Sequence, residues 1–309
     1  MTQRKSLQIQ LLSVPDCPLV ESARSALKNS LAQTHIDTVV EELVGDYSSP
    51  TILVDGFDVT GRPREPKNQA SCRLDLPTEE QILVALRGLS VLSCERSLTG
   101  RLQAATFRIL LQTVKPVSVD YLAAKMDVPD SITSGIEELQ RSAHIRLDAN
   151  GCIIGALGLS LSTTTHELSI GGSRFWAWCA FDVIGIFGAI RASGLARSVD
   201  PCNGEHILLE FADGIPQNRK YIVFMADVQS SRALCEDWCS KVNFFTSTES
   251  AEMWAQINGL AGSLVSVGNL VPVAVEVWSR LLTKGEELLI PGTTKEHRDA
   301  SGAGTYPTQ

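Results

Sequence analysis

Apolar and polar residues alternate near the start of the chain, and the spacing then becomes helical. Residues 7–14 (LQIQLLSV) alternate as a half-buried strand does. Pro18 suits the first turn of a helix, and helical spacing follows over residues 19–31. This start predicts a small α/β domain, which we assign to residues 1–92. Its remaining elements are expected to be two strands and a closing helix, at residues 36–43, 51–54 and 78–87.

The next segment, residues 93–161, is predicted to be mainly helical. Three helices are expected, one from residue 104 onward and two at residues 119–126 and 131–142, with proline-containing turns between them. A hairpin signal, Asp-Ala-Asn-Gly at residues 148–151, follows the third helix. Three helices followed by a hairpin are typical of a winged-helix module.

The third predicted helix of this module is a poor candidate for a DNA-recognition helix. It contains Glu137 and Glu138 against a single Arg141, so it offers no basic stripe to a phosphate backbone. We therefore favour a packing or lid module over a DNA reader.

Strands and helices mix in the rest of the chain. Residues 162–292 are assigned to a mixed α/β core, and residues 293–309, polar and without periodicity, to a disordered tail. The complete prediction is an α+β multidomain fold. The core elements are strands at residues 166–170, 207–211, 221–226 and 243–246, an apolar helical run after residue 176, and helices at residues 250–257 and 273–282.

Composition limits the classes of partner. The chain has 309 residues, 44% hydrophobic and 20% charged, with a net charge of -8, which disfavours nucleic acid and anionic lipid. The longest apolar stretch, residues 175–190, contains Asp182 and is too short for a membrane helix. Eight sparse cysteines and no secretory signal predict a soluble cytoplasmic protein with reduced thiols.

Cys179 and Asp182 are the first candidate reactive pair. They are three residues apart and would be neighbours on a helix or tight turn. Surrounding aromatic residues would exclude water and raise the pKa of the carboxyl. A buried structural cysteine beside a capping aspartate explains the same spacing and stays open at this point. The aromatic residues are Phe175, Trp176, Trp178, Phe181 and Phe187.

A second cluster joins Cys235 and Cys239 in a C-x-x-x-C pattern with two acidic residues between the thiols. Structural zinc is poorly supported because no second ligand pair follows at a suitable spacing. A redox C-x-x-C is absent both here and at Cys17.

Residues 6–89 resemble the thioredoxin-like fold. Cys17 lies at the first junction between a strand and a helix, and Pro50 directly precedes the strand at residues 51–54. In that fold a cis proline holds the corresponding position, and a helix closes the domain.

Residues 107–282 resemble the organomercurial (alkylmercury) lyase family. The segment RFWAWCAFD at residues 174–182 is similar to the family's AWCALD motif, and WCSKVNFFTS at residues 238–247 is similar to its second signature. Residues 196–202 (ARSVDPC), which end in Cys202, lie where the family has a third, largely structural cysteine. Residues 254–262 (WAQINGLAG) resemble the family's W-x-x-x-x-x-G-L-x-G stretch.

The resemblance implies a lyase that cleaves the carbon–mercury bond of alkyl or aryl mercury to a hydrocarbon and Hg(II). It makes Cys179 the first thiolate on mercury, Cys239 the second, and Asp182 the proton relay that also contacts product mercury. No permanent cofactor is implied. Free thiols would be needed for turnover, with low-molecular-weight thiols or a mercuric reductase as acceptors of Hg(II), and neither nucleic acid nor membrane as a partner.

Several residues depart from the family pattern. Ser240 stands where many relatives have a cysteine beside the second thiol, and Cys235 is additional. The thioredoxin-like domain is also additional. Its Cys17, together with Cys72, could receive Hg(II), or the domain could be a degenerate redox domain retained for packing. Cys94, Cys152 and Cys202 are interpreted as structural or incidental.

Two other functions stay open at this point. The first is a mercury- or thiol-sensing winged-helix protein that binds metal without catalysis. The second is a thiol-disulfide oxidoreductase acting through Cys17, which the missing resolving cysteine disfavours.

Overall fold

The computed structural model describes residues 6–62, 70–90, 98–126, 132–227 and 237–282. The predicted turn at residues 127–129, the tail at residues 293–309, Cys94 and Cys235 lie outside these ranges. No helix within them combines the length and the apolar character that crossing a bilayer requires.

A four-stranded sheet forms the first part of the structure, in the order β2-β1-β4-β5. The central strand β1 pairs parallel with β2 and antiparallel with β4. Its alternating burial matches the predicted alternation of residues. The elements are β1 (Leu7–Ser13), α1 (Val20–Ala32), β2 (Thr38–Val44), β3 (Ser48–Ser49), β4 (Thr51–Val54), β5 (Phe57–Asp58), β6 (Ser71–Cys72) and α2 (Glu79–Ser90).

The peptide bond between Ser49 and Pro50 is cis and lies directly before β4. This is the position at which the sequence resemblance placed a cis proline. The assignment of the whole segment to the thioredoxin-like fold stays a prediction.

The segment at residues 93–161 and the core share one β-sheet. β7, β8 and β9 form one end of an eight-stranded sheet whose order is β14-β13-β12-β10-β11-β9-β8-β7. The predicted boundary at residue 161 therefore falls inside one sheet. The segment contains α3 (Leu98–Thr113), α4 (Val119–Met126), α5 (Ile132–Arg141), β7 (Ile145–Leu147), β8 (Ile153–Ala156) and β9 (Leu159–Ser160).

The core packs helices against this sheet and against a second sheet ordered β16-β15-β17. Helix α6 packs mainly on α8 and also contacts both sheets. It is buried along almost its whole length, as expected for a helix whose residues are apolar except for Asp182. The remaining elements are β10 (His166–Ile170), β11 (Ser173–Ala177), α6 (Ala180–Ile190), β12 (Gly194–Val199), β13 (His206–Ala212), β14 (Ile215–Pro216), β15 (Ile222–Ala226), β16 (Asn243–Phe245), α7 (Thr248–Ile257), β17 (Gly262–Ser266) and α8 (Val267–Leu281).

Two predicted core elements differ from the observed ones, and the strands β12, β14 and β17 were not predicted. The helix expected from residue 273 begins at Val267, because Ser266 caps it by accepting a hydrogen bond from the Asn269 N–H, and Pro272 is accommodated inside the helix. The apolar run after residue 176 divides into the end of β11, a short turn and α6.

The first part of the structure is docked on the core through α2. The Arg87 guanidinium donates to Asp227 at 2.6 Å, and the Glu80 carboxylate accepts hydrogen bonds from the Ser266 N–H and the Asn269 side chain. Gly88 lies against α6 and α8 of the core: a Cβ built on it would lie 2.6 Å from Val273 Cγ1 and 3.1 Å from Phe181 Cζ.

Gly88→Ala tests this docking. Alanine favours a helix, yet here its methyl group would overpack the interface, so we expect a net loss of about 1–2 kcal/mol in the free energy of unfolding. Gly268→Ala in α8 is the matched control, because the nearest atom to its Cβ lies at 3.5 Å, an ordinary contact. Chemical denaturation measures both variants. A Gly88→Ala protein as stable as the control would contradict the docking.

Candidate functional site

The site is built on the N-terminus of α6. β11 ends at Ala177, and Cys179 takes the N-cap position with extended backbone (φ -152°, ψ 172°). Its sulfur accepts a hydrogen bond from the Asp182 N–H at 3.4 Å. The three-residue spacing thus brings thiol and carboxyl together as cap and first turn, with the cysteine just outside the helix.

Cys239 reaches the same place from a distant part of the chain. It begins a short 3-10 turn, Cys239–Lys241, that leads into β16. The Ala180 N–H donates to the Val242 carbonyl at 3.0 Å, which ties this turn to the start of α6.

The structure brings the three predicted side chains together. The Sγ atoms of Cys179 and Cys239 and a carboxylate oxygen of Asp182 all lie within 4.8 Å of one another. Each residue is buried, with exposed fractions of 0%, 3% and 4% for Cys179, Cys239 and Asp182. Two sulfurs at this separation suit a soft, thiophilic metal ion. The catalytic roles assigned to the three residues stay predictions.

Aromatic residues next to Asp182 and Cys239 in the chain pack against one another. Phe181 makes edge contacts with Trp238 and Trp278, at centroid distances of 6.0 and 5.2 Å. Phe175 and Trp178 are buried as expected, Trp176 is only partly buried, and Phe187 stacks on Phe211. Trp278 could not be associated with the site from the sequence, because it lies on α8, far along the chain.

Burial controls the protonation of the site. It raises the pKa of the Asp182 carboxyl to about 7, and hydrogen bonding with Cys179 offsets part of the increase. Within the described residues, Asp182 Oδ2 has no hydrogen-bond partner. The carboxyl can therefore exchange a proton near neutral pH. The rise in its pKa is in the direction predicted from the sequence.

Both thiols hold their protons more firmly than free cysteine does. Burial raises the pKa of Cys179 well above its ordinary value, and the hydrogen bond to Cys239 and the charge of Asp182 add to this. The hydrogen bond from Cys179 lowers the pKa of Cys239, but burial and the Asp182 charge raise it more. Each thiol is therefore expected to be neutral until a metal displaces its proton.

Arg146 is a residue of the site that the sequence analysis missed. Its guanidinium lies over the Trp178 ring, 5.7 Å from the centroid. Its positive charge lowers the pKa of the nearby Cys239 thiol. Arg146 lies on β7, so no local signal connects it to either cysteine motif.

The other four cysteines that the structure describes do not join this group. Cys17 is buried and Cys72 is exposed, while Cys152 and Cys202 are partly buried. Among the described residues, Cys179, Asp182 and Cys239 form the single cluster of three potential metal ligands. Any role of Cys17 and Cys72 in mercury transfer stays a prediction.

Comparisons with known proteins point to one family. The family model described as MerB, alkylmercury lyase, matches residues 159–279. Alkylmercury lyases of Bacillus cereus and Clostridium butyricum are each 32% identical over 161 residues, which covers 48% of this chain and 69% of each relative. The crystal structure of the mercury-bound form of MerB2 matches with a TM-score of 0.58 at 20% identity, covering 65% of this chain and 98% of that one.

Stability should depend on pH through Asp182. Because the pKa of this carboxyl is raised to about 7 in the folded protein from 3.8, its contribution to stability is complete below pH 3.8 and is lost as the pH rises through 7. Over that range the wild-type protein should lose on the order of 4 kcal/mol relative to Asp182→Asn, which cannot ionise.

Urea denaturation of both proteins between pH 4 and 8 measures this difference, and Asp200→Asn serves as a control. The Asp200 carboxylate is also buried but accepts hydrogen bonds from Thr246 and Ser250, and its pKa is lowered. A wild-type protein whose stability relative to Asp182→Asn is the same at pH 4 and pH 8 would contradict the raised pKa.

Proposed function

Because this chain belongs to the alkylmercury lyase family, we propose that it cleaves the carbon–mercury bond of organomercurials to a hydrocarbon and Hg(II). The observation that carries the proposal is the convergence of two buried thiols and one buried carboxyl within 4.8 Å. The substrate is an alkyl or aryl mercury compound carried on a low-molecular-weight thiol.

The reaction begins with exchange of the thiol on mercury. The Cys179 sulfur attacks the metal, the carrier thiolate leaves, and the proton of Cys179 neutralises that leaving group through Asp182. The Cys239 sulfur then adds to the same mercury, and its proton passes to the Asp182 carboxylate. The carboxyl has a pKa of about 7 and is therefore matched to both accepting and donating a proton.

Protonation of carbon completes the cycle. Two thiolates place electron density on the soft metal and weaken its bond to carbon. The carbon–mercury bond breaks, its electron pair takes the proton from Asp182, and a hydrocarbon leaves. Mercury stays in the +2 state throughout, bound to both sulfurs with Asp182 beside it. The two thiol protons are thus accounted for, one on the released carrier thiol and one on the hydrocarbon.

The surroundings support this chemistry. Phe181 packs on Trp238 and Trp278 beside the buried Asp182, and this apolar packing limits hydration of the carboxyl before transfer. Release of Hg(II) from two buried sulfurs requires competing ligands, so turnover is proposed to depend on free thiols or on a mercuric reductase as acceptor.

The competing proposal, a mercury sensor, predicts binding without cleavage. The strands that end the winged-helix-like segment form one sheet with β11, the strand that leads to Cys179, which favours a structural role for that segment. Purified protein with methylmercury and excess thiol should release methane, measured in the headspace. Stoichiometric mercury binding with no methane would contradict the lyase and favour the sensor.

Removal of either thiol should abolish cleavage. Cys179→Ser and Cys239→Ser each leave one sulfur, which cannot form the dithiolate that weakens the bond, so we expect methane release to fall to background. Cys202→Ser is the matched control, since this partly buried cysteine lies outside the cluster and its loss should mainly lower the melting temperature. Full activity in either of the first two variants would overturn the assignment.

Asp182→Asn should separate binding from protonation. The amide cannot relay a proton, so we expect the rate of hydrocarbon release to fall by about 10²–10⁴-fold. Mercury binding by the two thiols should be retained and is measured as the amount of Hg(II) held after gel filtration. Unchanged turnover would show that another group delivers the proton.

A further inference from the structure

A tight hairpin turn packs directly on the proposed proton relay. β8 and β9 are joined by Leu157 and Gly158 alone, with Ala156 paired to Leu159 on either side of the turn. Both turn residues have left-handed backbone, with φ values of 48° and 79°. This is the backbone of a two-residue hairpin whose geometry matches the twist of its strands.

The turn is fixed to the site from two directions. The backbone N–H of Trp178, the residue before Cys179, donates to the Gly158 carbonyl at 2.9 Å. The Trp278 indole N–H, on α8, donates to the Leu157 carbonyl at 3.1 Å. β9 also pairs with β11, the strand that leads to Cys179. The position of the turn relative to α6 is therefore set by several independent contacts.

Gly158 leaves the space that the Asp182 side chain occupies. A Cβ built at residue 158 would lie 2.3 Å from Asp182 Cγ, 2.4 Å from Oδ1 and 2.7 Å from Cβ, all far inside van der Waals contact. Asp182 Oδ2 has no hydrogen-bond partner in the described part of the chain. Contact with the turn, together with hydrogen bonding to Cys179, thus restricts where this carboxyl can lie.

We propose that Gly158 is a positioning residue for proton transfer: the Leu157–Gly158 turn holds the Asp182 carboxyl beside the Cys179 and Cys239 sulfurs. The inference rests on the proposed lyase function and extends it to a residue of the winged-helix-like segment. The end of that segment thus contributes to the site by packing against the Asp182 carboxyl.

Gly158→Ala tests the proposal, with Gly151→Ala as the matched control. Gly151 also lies in a hairpin turn with φ of 77°, but nothing lies within 4 Å of a Cβ built there. The two variants therefore share the same backbone penalty, and only the first displaces the carboxyl. For Gly158→Ala we expect kcat for methane release to fall at least tenfold, with KM changed less than threefold relative to the control.

Mercury binding provides the second readout. Ultraviolet absorption of the mercury–thiolate bonds should show the same stoichiometry of Hg(II) in wild type, Gly158→Ala and Gly151→Ala, because the two sulfurs stay in place. A proportional loss of mercury binding and kcat would mean general disruption of the fold and would overturn the positioning role. Equal kcat in the two glycine variants, with an active wild type, would overturn it while leaving the lyase function intact.

A double-mutant cycle covers the case in which Gly158→Ala folds poorly. Asp182→Ala removes the carboxyl atoms that the new methyl group would meet, so Gly158→Ala should lower the melting temperature less in the Asp182→Ala protein than in wild type. Equal losses in both backgrounds would contradict the proposed contact. If wild type and Gly151→Ala bind mercury but release no methane, the lyase function itself fails, and the positioning role fails with it.

Discussion

The site depends on the burial of helix α6. Apart from Asp182 its residues are apolar, so the helix packs between the eight-stranded sheet and α8 and carries its N-terminus into the interior. Cys179 and Asp182 are buried because that end of the helix is buried. The hydrogen bond from the Ala180 N–H to the Val242 carbonyl then brings the Cys239 turn against the same end.

Desolvation is the main electrostatic consequence of this arrangement. Burial raises the pKa of all three groups. Because a carboxyl is far more acidic than a thiol in water, the carboxyl is the group whose raised pKa lies near neutral pH. The cost is a carboxyl that destabilises the fold when ionised. Residues that transfer protons commonly lower the stability of the folded protein in this way.

Local sequence patterns predicted much of the fold and part of the site. β1, α1, β4, α4 and α7 have strong periodicity or clear caps, and the structure contains them close to the predicted bounds. The proximity of Cys179 and Asp182 follows from their spacing alone. Cys239 was associated with them only through the family resemblance, because nothing in the intervening residues specifies that the two segments meet.

The site residues and the docking contacts that the sequence analysis missed all depend on nonlocal contacts. Trp278, Arg146 and Gly158 reach the site from α8, β7 and the β8–β9 turn, and no spacing rule connects those elements to α6. The docking of α2 through Glu80 and Arg87 depends equally on residues more than a hundred positions away. Sequence periodicity identifies buried faces, but it does not specify which faces meet.

X-ray absorption at the mercury edge tests the central claim most directly. The protein is incubated with one equivalent of methylmercury, and the spectrum of the mercury that it retains is recorded. We predict two sulfur neighbours on each mercury and no remaining carbon neighbour, with the second sulfur lost in Cys239→Ser. A single sulfur neighbour and an intact mercury–carbon bond in the wild-type protein would contradict the account.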